Sequence, residues 1–277
     1  MDISSLRSGQ VIDNQQLASI FKCAPQGGMR RSLTTNSLVL VTHADKTLYN
    51  DRWEGEILHY TGMGQSGDQS LEFQQNKTLN NSNHSDIKVY LFEVFKEKEY
   101  TFHGEVKLIG DLYQELQDGA DGASRKVWIF PIKVIDQNWH VPKSLIKETE
   151  EKKEKKLKRL SDQELLKRAK EGSKKASTRK TSEGTVYIRN QYVKALSLRM
   201  ARGICQLCDQ PAPFKDKQNN PYLEVHHIEW LSRGGDDSIE NTIALCPNCH
   251  KKMHVLDEKS DVNKLKLRNN ELLLLSI

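Results

Sequence analysis

The chain has 277 residues, which is enough for two ordinary domains. Its residues are 36% hydrophobic and 29% charged, as in a globular protein with an unusually charged portion. No run approaches the roughly 18 apolar residues of a membrane span, and the N-terminus lacks a secretion signal. We therefore expect a cytoplasmic protein with no membrane partner.

The formal net charge of +5 is unevenly distributed along the chain. Between Lys143 and Lys180, fifteen Lys and Arg side chains stand against seven Asp and Glu, which gives this segment a formal charge of +8. A concentrated basic strip favours a polyanionic partner, because neutralised phosphates release their counterions. A solvated helical linker fits the same run of charges equally well.

Residues 10–136 contain short runs rich in β-branched and aromatic residues, which predict strands. The clearest runs lie at 37–43, 89–95, 99–110 and 126–135. Clusters of Gly, Asn and Asp separate these runs, as is typical of the turns in a mainly β domain. We therefore predict a β domain that closes at Pro142.

One segment of this domain, from Tyr49 to Gly64, alternates aromatic residues with polar groups and glycines. Aromatic rings, a carboxylate and backbone freed by glycine are the parts of a pocket that holds a flipped base. The candidate pocket residues are Tyr49, Asp51, Trp53, Tyr60, Thr61 and Gly62. Aromatic residues of a β domain also commonly belong to its core, so the pattern by itself leaves both interpretations open.

The order of these residues resembles the SRA domain, a PUA-superfamily module that flips 5-methylcytosine out of duplex DNA. The matching residues are Tyr49 and Asp51, then Tyr60, Thr61, Gly62 and Gly64, then Gln75, Lys77, Leu79, Asn81 and Asn83. The resemblance implies that Tyr49 and Tyr60 sandwich the base and that Asp51 accepts a hydrogen bond from the cytosine amino group. The backbone near Thr61 and Gly62 would hold the other edge. A related PUA-type module, the EVE domain, is the alternative subtype.

The composition then shifts to strong helix formers without Pro, which predicts a basic helix that ends at Gly172. The polar run at 173–184 is interpreted as a flexible hinge, and a second helix is predicted over 186–202. The predicted segments are an SRA-like domain at 1–142, a basic helical linker at 143–184 and a third module at 185–277.

The five cysteines comprise two C-x-x-C pairs and an isolated Cys23, which we interpret as an ordinary buried thiol. In an intracellular protein such pairs indicate metal ligation rather than disulfides. Four thiolates satisfy tetrahedral zinc with no open position, which predicts a structural site that staples a small domain. The predicted ligands are Cys205, Cys208, Cys246 and Cys249. By themselves these four residues favour a zinc ribbon with no catalytic purpose.

Four of the nine histidines remain beside the zinc motif. His250 and His254 lie four apart in a segment free of Pro and Gly, so on a helix both imidazoles project from one face and can share a cation. His226 can supply a third ligand from a strand. Its neighbour His227 then faces the other side, as a neutral general base for water. This arrangement suits phosphodiester hydrolysis with one divalent ion, such as Mg²⁺ or Mn²⁺.

The stretch from Asn220 to His254 resembles HNH endonucleases, and more closely the McrA-like branch of modification-dependent (type IV) restriction enzymes. It reads NPYLEVHHIEWLSRGGDDSIENTIALCPNCHKKMH. The resemblance implies that His227 is the general base. It also implies that His226 and His250 are metal ligands, with His254 as the third.

The same resemblance assigns Asn241 to the family's central Asn, whose side chain bridges the loop and keeps the strand of the base in place. The GGDDS turn at 234–238 fits this pattern, since its glycines permit the positive φ values that return the loop to the helix.

We therefore expect an α+β protein: an N-terminal mainly-β SRA/PUA-like barrel, a helical linker and a C-terminal ββα-metal HNH domain with a four-cysteine zinc site. The expected function is a modification-dependent DNA endonuclease that flips 5-methylcytosine, or a related modified cytosine, in double-stranded DNA. Double-strand cleavage by a single-site nuclease favours a homodimer. The alternative is a non-catalytic zinc-containing nucleic-acid-binding protein, which needs no second, exchangeable divalent ion.

Overall fold

The computed structural model describes residues 2–44, 49–170 and 176–275. The chain divides into two compact units that interleave along the sequence. The first comprises Met1–Lys152 with Ser177–Tyr187, and the second comprises Lys153–Ala176 with Ile188–Ile277. Within the described ranges, no helix is both long enough and apolar enough to cross a membrane.

The first unit is built on an eleven-stranded sheet. The strands are β1 (Val11–Ile12), β2 (Met29–Ser32), β3 (Ser37–His43), β4 (Arg52–Gly55), β5 (Ile57–Thr61), β6 (Lys88–Lys96), β7 (Glu99–Leu108), β8 (Tyr113–Asp118), β9 (Ser124–Val134), β10 (Ser177–Thr181) and β11 (Gly184–Ile188). Their hydrogen-bonded order is β11-β10-β4-β5-β9-β7-β6-β3-β2, with β1 on β7 and β8 on β9. The β3–β6 and β10–β4 pairs are parallel.

The sheet is buried on both faces because its central strands alternate between two apolar clusters. In β3, Leu38 and Leu40 belong to one cluster, whereas Val39 and Val41 belong to the other. This follows from the strand geometry, since successive side chains point to opposite faces.

Among the described residues, two α-helices lie wholly within the first unit, α1 (Asn14–Phe21) and α2 (Gln74–Asn80). Helix α1 begins at a capping box, in which the Asp13 side chain accepts from the Gln16 backbone N–H and the Gln16 side chain accepts from the Asp13 N–H. Phe21 packs into the same cluster as Val39. The helix thereby covers one face of the sheet.

The four clearest strand predictions are confirmed. Residues 37–43 form β3, and the other three runs form β6, β7 and β9 with shifts of one or two residues at their ends. These runs are apolar enough to be buried, which is why their pattern is informative.

The run predicted to be a flexible hinge instead contributes β10 and β11 to the sheet. Arg179 explains this, because its buried guanidinium donates to both carboxylate oxygens of Glu93, at 2.8 and 2.5 Å, and lies 4.6 Å from the centre of the Trp53 ring. The hinge prediction is wrong for this strand pair because the partner of Arg179 lies far away in sequence. Residues 173–175 of that run lie outside the described residues, and the predicted segment boundaries stay predictions.

The second unit packs helices around a short two-stranded sheet. Its elements are α4 (Asp162–Lys170), α5 (Gln191–Ala201), β12 (Glu224–His227), β13 (Thr242–Leu245), α6 (Pro247–Val255) and α7 (Lys259–Leu275), and α3 (Lys143–Leu157) runs across the boundary between the units. Strands β12 and β13 pair antiparallel, with His226 opposite Ile243 and His227 opposite Thr242. Helix α6 follows β13 directly, which completes a ββα arrangement.

The single basic helix predicted after residue 143 is broken in two. Helix α3 ends where the guanidinium of Arg199 donates to the carbonyls of Leu157 and Leu160, at 3.0 and 2.6 Å, and the Leu157 carbonyl also accepts the Leu160 N–H in a tight turn. Ser161 then accepts from the Glu164 N–H at the start of α4. The predicted end at Gly172 lies outside the described residues.

The other helix predictions also shift. Helix α5 begins at Gln191 rather than at 186, because the Asn190 side chain caps it by accepting the N–H groups of its first turn. The apolar run near the C-terminus continues α7 as far as Leu275. Leu273 packs inside the second unit, whereas Leu274 is exposed.

Candidate functional site

Four thiols of the second unit converge as their spacing predicts. The sulfur atoms of Cys205, Cys208, Cys246 and Cys249 all lie within 4.8 Å of one another. Cys246 sits at the N-cap of α6, where its sulfur accepts from the Cys249 N–H. Burial raises the pKa of the Cys205 thiol, but backbone N–H donors outweigh burial and lower it to about 7. Four soft donors complete a tetrahedral ligand set, which fits a structural zinc ion.

Three imidazoles form a separate cluster. One ring nitrogen each of His226, His250 and His254 lies within 4.8 Å of the others. His226 is 1% exposed, yet neither of its ring nitrogens has a hydrogen-bond partner among the described residues. Burial, together with the neighbouring His250 and His254, lowers the pKa of His226 to about 3. A buried neutral imidazole with both nitrogens unpaired is suited to binding a metal ion.

A carboxylate orients one histidine of this cluster. Glu224 on β12 accepts a hydrogen bond from Nδ1 of His250 at 2.5 Å. The Nε2 atom of His250 then lies 3.1 Å from Nε2 of His254. A metal-binding histidine commonly donates its other nitrogen to a carboxylate, which fixes the tautomer. The donor set therefore fits a divalent ion held by three Nε2 or Nδ1 atoms.

His227 lies on the same strand as His226 but is held by a different partner. Its Nε2 atom lies 2.8 Å from a carboxylate oxygen of Asp237. The second oxygen of Asp237 accepts from the Asn190 backbone N–H at 2.6 Å. Both His227 and Asp237 are buried, so the imidazole is fixed in one orientation.

Asn241 closes the loop that carries Asp237. Its Oδ1 atom accepts from the Glu229 N–H at 2.8 Å, and its Nδ2 atom donates to the Glu229 and Asp236 carbonyls at 2.9 and 2.7 Å. Gly234 has φ +93°, which matches the expected positive value. Gly235 has another reason to be glycine, because a Cβ atom there would collide with the Glu229 carbonyl oxygen.

The candidate pocket residues of the first unit meet around Asp51. This buried carboxylate accepts from the Thr42 hydroxyl at 2.6 Å and from the Thr61 N–H at 2.8 Å. Burial raises the pKa of Asp51 to about 6, against the lowering effect of these two hydrogen bonds. Tyr49 is half-buried, and its hydroxyl donates to the Gly64 carbonyl at 3.2 Å.

The two remaining aromatic candidates are buried. Tyr60 belongs to the core, and its hydroxyl donates to the Gly28 carbonyl at 2.8 Å. Burial, with the nearby charge of Asp51, raises the pKa of Tyr60 well above its ordinary value. Trp53 packs in the same core beneath Arg179. The Gly62 N–H is used within the sheet, where it donates to the Trp128 carbonyl at 2.8 Å.

Three residues that position the site were not identified from the sequence. Glu224 and Asp237 stand beside the histidine motif, and a carboxylate near paired histidines is the available signal for them. Asn76 is fully buried and holds the loop after Gly62 through the Met63 N–H and the Met63 and Ser70 carbonyls, at 2.6, 3.0 and 2.9 Å. No local pattern marks Asn76, because its partners depend on the folded loop.

Comparison with known proteins matches each of the two units to a protein family. Residues 205–256 match the family of HNH endonucleases, and residues 8–154 match the family described as ScoMcrA-like SRA domain. The chain is 52% identical over 69 residues, a quarter of each chain, to the type IV methyl-directed restriction enzyme EcoKMcrA of Escherichia coli strain K12. It is 41% identical over 45 residues to anaredoxin of Nostoc sp. strain PCC 7120, which is 16% of this chain and 59% of that protein.

The structure of the type IV phosphorothioation-dependent restriction endonuclease ScoMcrA superposes with a TM-score of 0.50 at 18% identity. The match covers 98% of this chain and 64% of that one, so the likeness concerns the fold. The chain spans a quarter of the length of EcoKMcrA. The SRA match extends over about half of the chain and distinguishes the first unit from an EVE domain. The chain therefore belongs to the ScoMcrA-like SRA-domain family and carries an HNH endonuclease domain in its second unit.

Proposed function

We propose that the protein is a modification-dependent DNA endonuclease, in which the SRA domain recognises 5-methylcytosine or a related modified cytosine and the HNH domain hydrolyses a nearby phosphodiester. One observation carries the proposal. His226, His250 and His254 converge within 4.8 Å with the ring nitrogens of His226 unpaired, beside a fourth histidine that is held separately.

The chemistry follows from which nitrogen of each histidine is engaged. His226, His250 and His254 would hold one divalent ion, Mg²⁺, Mn²⁺ or another, which when bound neutralises charge on the scissile phosphate and the leaving oxygen. Asp237 holds Nε2 of His227, so Nδ1 is the atom that takes the proton of an attacking water. The water oxygen bonds to phosphorus as the bond from phosphorus to the leaving oxygen breaks.

Asn241 supports this step without touching the substrate. Its three hydrogen bonds hold the loop that carries Asp237, and Asp237 in turn fixes the His227 ring. The zinc that we assign to the four cysteines is structural, since those ligands leave no open position. Catalytic and structural metals are thus separated by ligand type.

Base flipping by the SRA domain is supported by the grouping of Tyr49, Asp51 and Thr61. Tyr49 offers the accessible ring, whereas Tyr60 and Trp53 would form the buried wall behind it. The curated relative EcoKMcrA is named a methyl-directed restriction enzyme, which favours a methylated base as the ligand. The basic segment at 143–180 would add contacts to the DNA backbone.

The test separates recognition from cutting. With Mg²⁺ or Mn²⁺, the full-length chain should cut a 5-methylcytosine-containing plasmid and spare the unmodified form. His227→Ala should slow cutting by a factor of about 10² to 10⁴, the usual value of a general base, while binding to modified DNA persists. Tyr49→Ala should weaken binding to modified DNA without changing zinc content. Equal cutting of both plasmids would remove the modification dependence.

A second outcome concerns the number of metal ions and active sites. We expect one tightly held zinc per chain and one exchangeable divalent ion, whose removal stops cutting. Cutting of both strands by one active site per chain would favour a homodimer on DNA, which sedimentation of the His227→Ala chain with a modified duplex would detect. A chain with one zinc and no divalent-dependent cutting would be a binding protein.

A further inference from the structure

Arg125 of β9 carries unused hydrogen-bond donors in the interior of the first unit. The residue is 3% exposed, and Nη1 of its guanidinium donates to the Gly64 carbonyl at 2.6 Å. Its Nε and Nη2 atoms are also buried, and neither has a partner among the described residues. A buried charge with unpaired donors destabilises a fold, which indicates that a ligand supplies the acceptors.

Two independent contacts place this guanidinium at the predicted base pocket. The Tyr49 hydroxyl donates to the same Gly64 carbonyl, at 3.2 Å. Gln117 stands directly opposite Arg125 across β8 and β9, so both side chains lie on one face of the sheet. Gln117 donates to the Thr61 hydroxyl at 3.2 Å. Arg125 therefore lies between the two segments that form the candidate pocket.

Asp51 and Tyr60 of the pocket are already hydrogen-bonded to the protein. Both carboxylate oxygens of Asp51 accept hydrogen bonds from the protein, and the Tyr60 hydroxyl is bound to the Gly28 carbonyl. Among Arg125 and the candidate pocket residues, the buried side-chain atoms that lack a partner within the described residues are all donors: Nε and Nη2 of Arg125 and Nε1 of Trp53. A ligand that completes this site must present acceptors.

We propose that Arg125 is a nucleotide-binding residue of the pocket whose Nε–H and Nη2–H groups bind two adjacent acceptor atoms of the modified nucleotide. These two groups form the side-on fork of a guanidinium, which matches paired acceptors bidentately. A neutral cytosine presents N3 and O2 side by side, and a phosphodiester presents two oxygens. The inference rests on the proposed recognition of a modified base and adds a residue that binds the recognised nucleotide.

The experiment measures binding of the full-length chain in the His227→Ala background, without added divalent ion, by fluorescence anisotropy. Three duplexes differ at one position, which carries 5-methylcytosine, cytosine or an abasic site. The variants are Arg125→Lys, which keeps the charge and loses the fork, and Arg125→Gln. Lys126→Met is the matched control, because Lys126 is the next residue of β9 and its exposed side chain points to the opposite face.

We expect Arg125→Lys to weaken binding to the 5-methylcytosine duplex at least about tenfold, the usual effect of losing a bidentate contact. If the fork reads the base edge, the loss disappears on the abasic duplex. If it binds the phosphate, the loss is equal on all three duplexes and the salt dependence falls by about one charge. The control Lys126→Met should leave the preference for the modified duplex unchanged.

Two results would overturn the inference, and they are distinguishable. If Arg125→Lys and Arg125→Gln bind the modified duplex as tightly as the parent while Tyr49→Ala does not, base recognition stands and Arg125 has no part in it. If the parent itself does not prefer the modified duplex, the proposed function fails with it. Should neither Arg125 variant fold, a crystal structure of the parent with the modified duplex decides, by the presence or absence of nucleotide acceptors on Nε and Nη2.

Discussion

Replacing Glu224 by Gln tests how the metal-binding histidines are oriented. The Oε1 atom of Glu224 accepts from the Tyr222 hydroxyl at 3.1 Å, and its Oε2 atom accepts from Nδ1 of His250 at 2.5 Å. A glutamine has one acceptor atom and one donor group. Because the Tyr222 hydroxyl donates to the amide oxygen of the glutamine, the amide NH₂ group faces Nδ1 of His250. This arrangement favours the His250 tautomer that carries its proton on Nε2, and Nε2 then has no lone pair for the metal ion.

The size of the effect follows from the bond that is lost. A hydrogen bond to a charged group contributes about 1.5–3 kcal/mol. The Glu224 and His250 side chains are 33% and 21% exposed, which places this bond at the lower end of that range. About 1.4 kcal/mol corresponds to tenfold weaker binding, within the range of about 10- to 100-fold known for such partners of metal-binding histidines.

The assay is cleavage of modified DNA at increasing Mn²⁺ concentration. Glu224→Gln should raise the half-saturating Mn²⁺ concentration about tenfold while the zinc content stays at one per chain. Adding Tyr222→Phe should restore part of the affinity, because the amide oxygen is then free to turn toward His250. Glu271→Gln is the matched control, since this exposed glutamate lies on α7. An unchanged midpoint in Glu224→Gln, or a further loss in the double variant, would refute the reasoning.

Three other predictions concern stability. Arg179→Met should lower the free energy of unfolding of the first unit by about 3–5 kcal/mol, because it leaves the buried Glu93 carboxylate without its cation. Lys180→Met, at an exposed neighbour, should lower the free energy of unfolding far less. Urea denaturation measures both changes. Burial raises the pKa of Glu93, but Arg179 and His103 lower it to about 2 from 4.5, so its stabilisation is complete above about pH 4.5 and lost as the pH falls toward 2. In Arg179→Met the acid-unfolding midpoint should therefore move to higher pH. Cys246→Ser should abolish tight zinc binding and the helical signal of the second unit, and retention of one zinc per chain would contradict the four-cysteine assignment.

Sequence patterns identified the parts of the fold that depend on local spacing. The C-x-x-C spacing and the helical spacing of His250 and His254 bring the members of each pair together, because the position of each residue follows from its neighbour along the chain. The buried strand β3 was equally predictable from the sequence, since its residues are apolar on both faces. Such features need no knowledge of distant contacts.

Features that depend on distant partners were not predictable. The polar strand β10 joins the sheet because Arg179 meets Glu93, 86 residues earlier in the chain. The break between α3 and α4 depends in the same way on Arg199, which takes carbonyls that a longer helix would have used. Neither event leaves a local signal in composition or periodicity.

The base pocket illustrates the same limit at the functional site. Asp51 is the residue that the family resemblance favours for reading the cytosine amino group, and each of its oxygens already accepts one hydrogen bond, from Thr42 and from Thr61. The unpaired donors of Arg125 are visible only once the burial of each nitrogen is known. Its neighbours in sequence are an exposed serine and an exposed lysine, which gave no indication of a buried site.

The most direct test of the account is the single-turnover cleavage rate on two duplexes that differ by one 5-methyl group on one cytosine, at saturating Mn²⁺. If the three imidazoles and His227 act only where the SRA domain holds a modified base, the methylated duplex is cut at least about tenfold faster, since a specific base contact is worth about 1–3 kcal/mol. Equal rates on the two duplexes, or no cutting of either at any divalent-ion concentration, would contradict it.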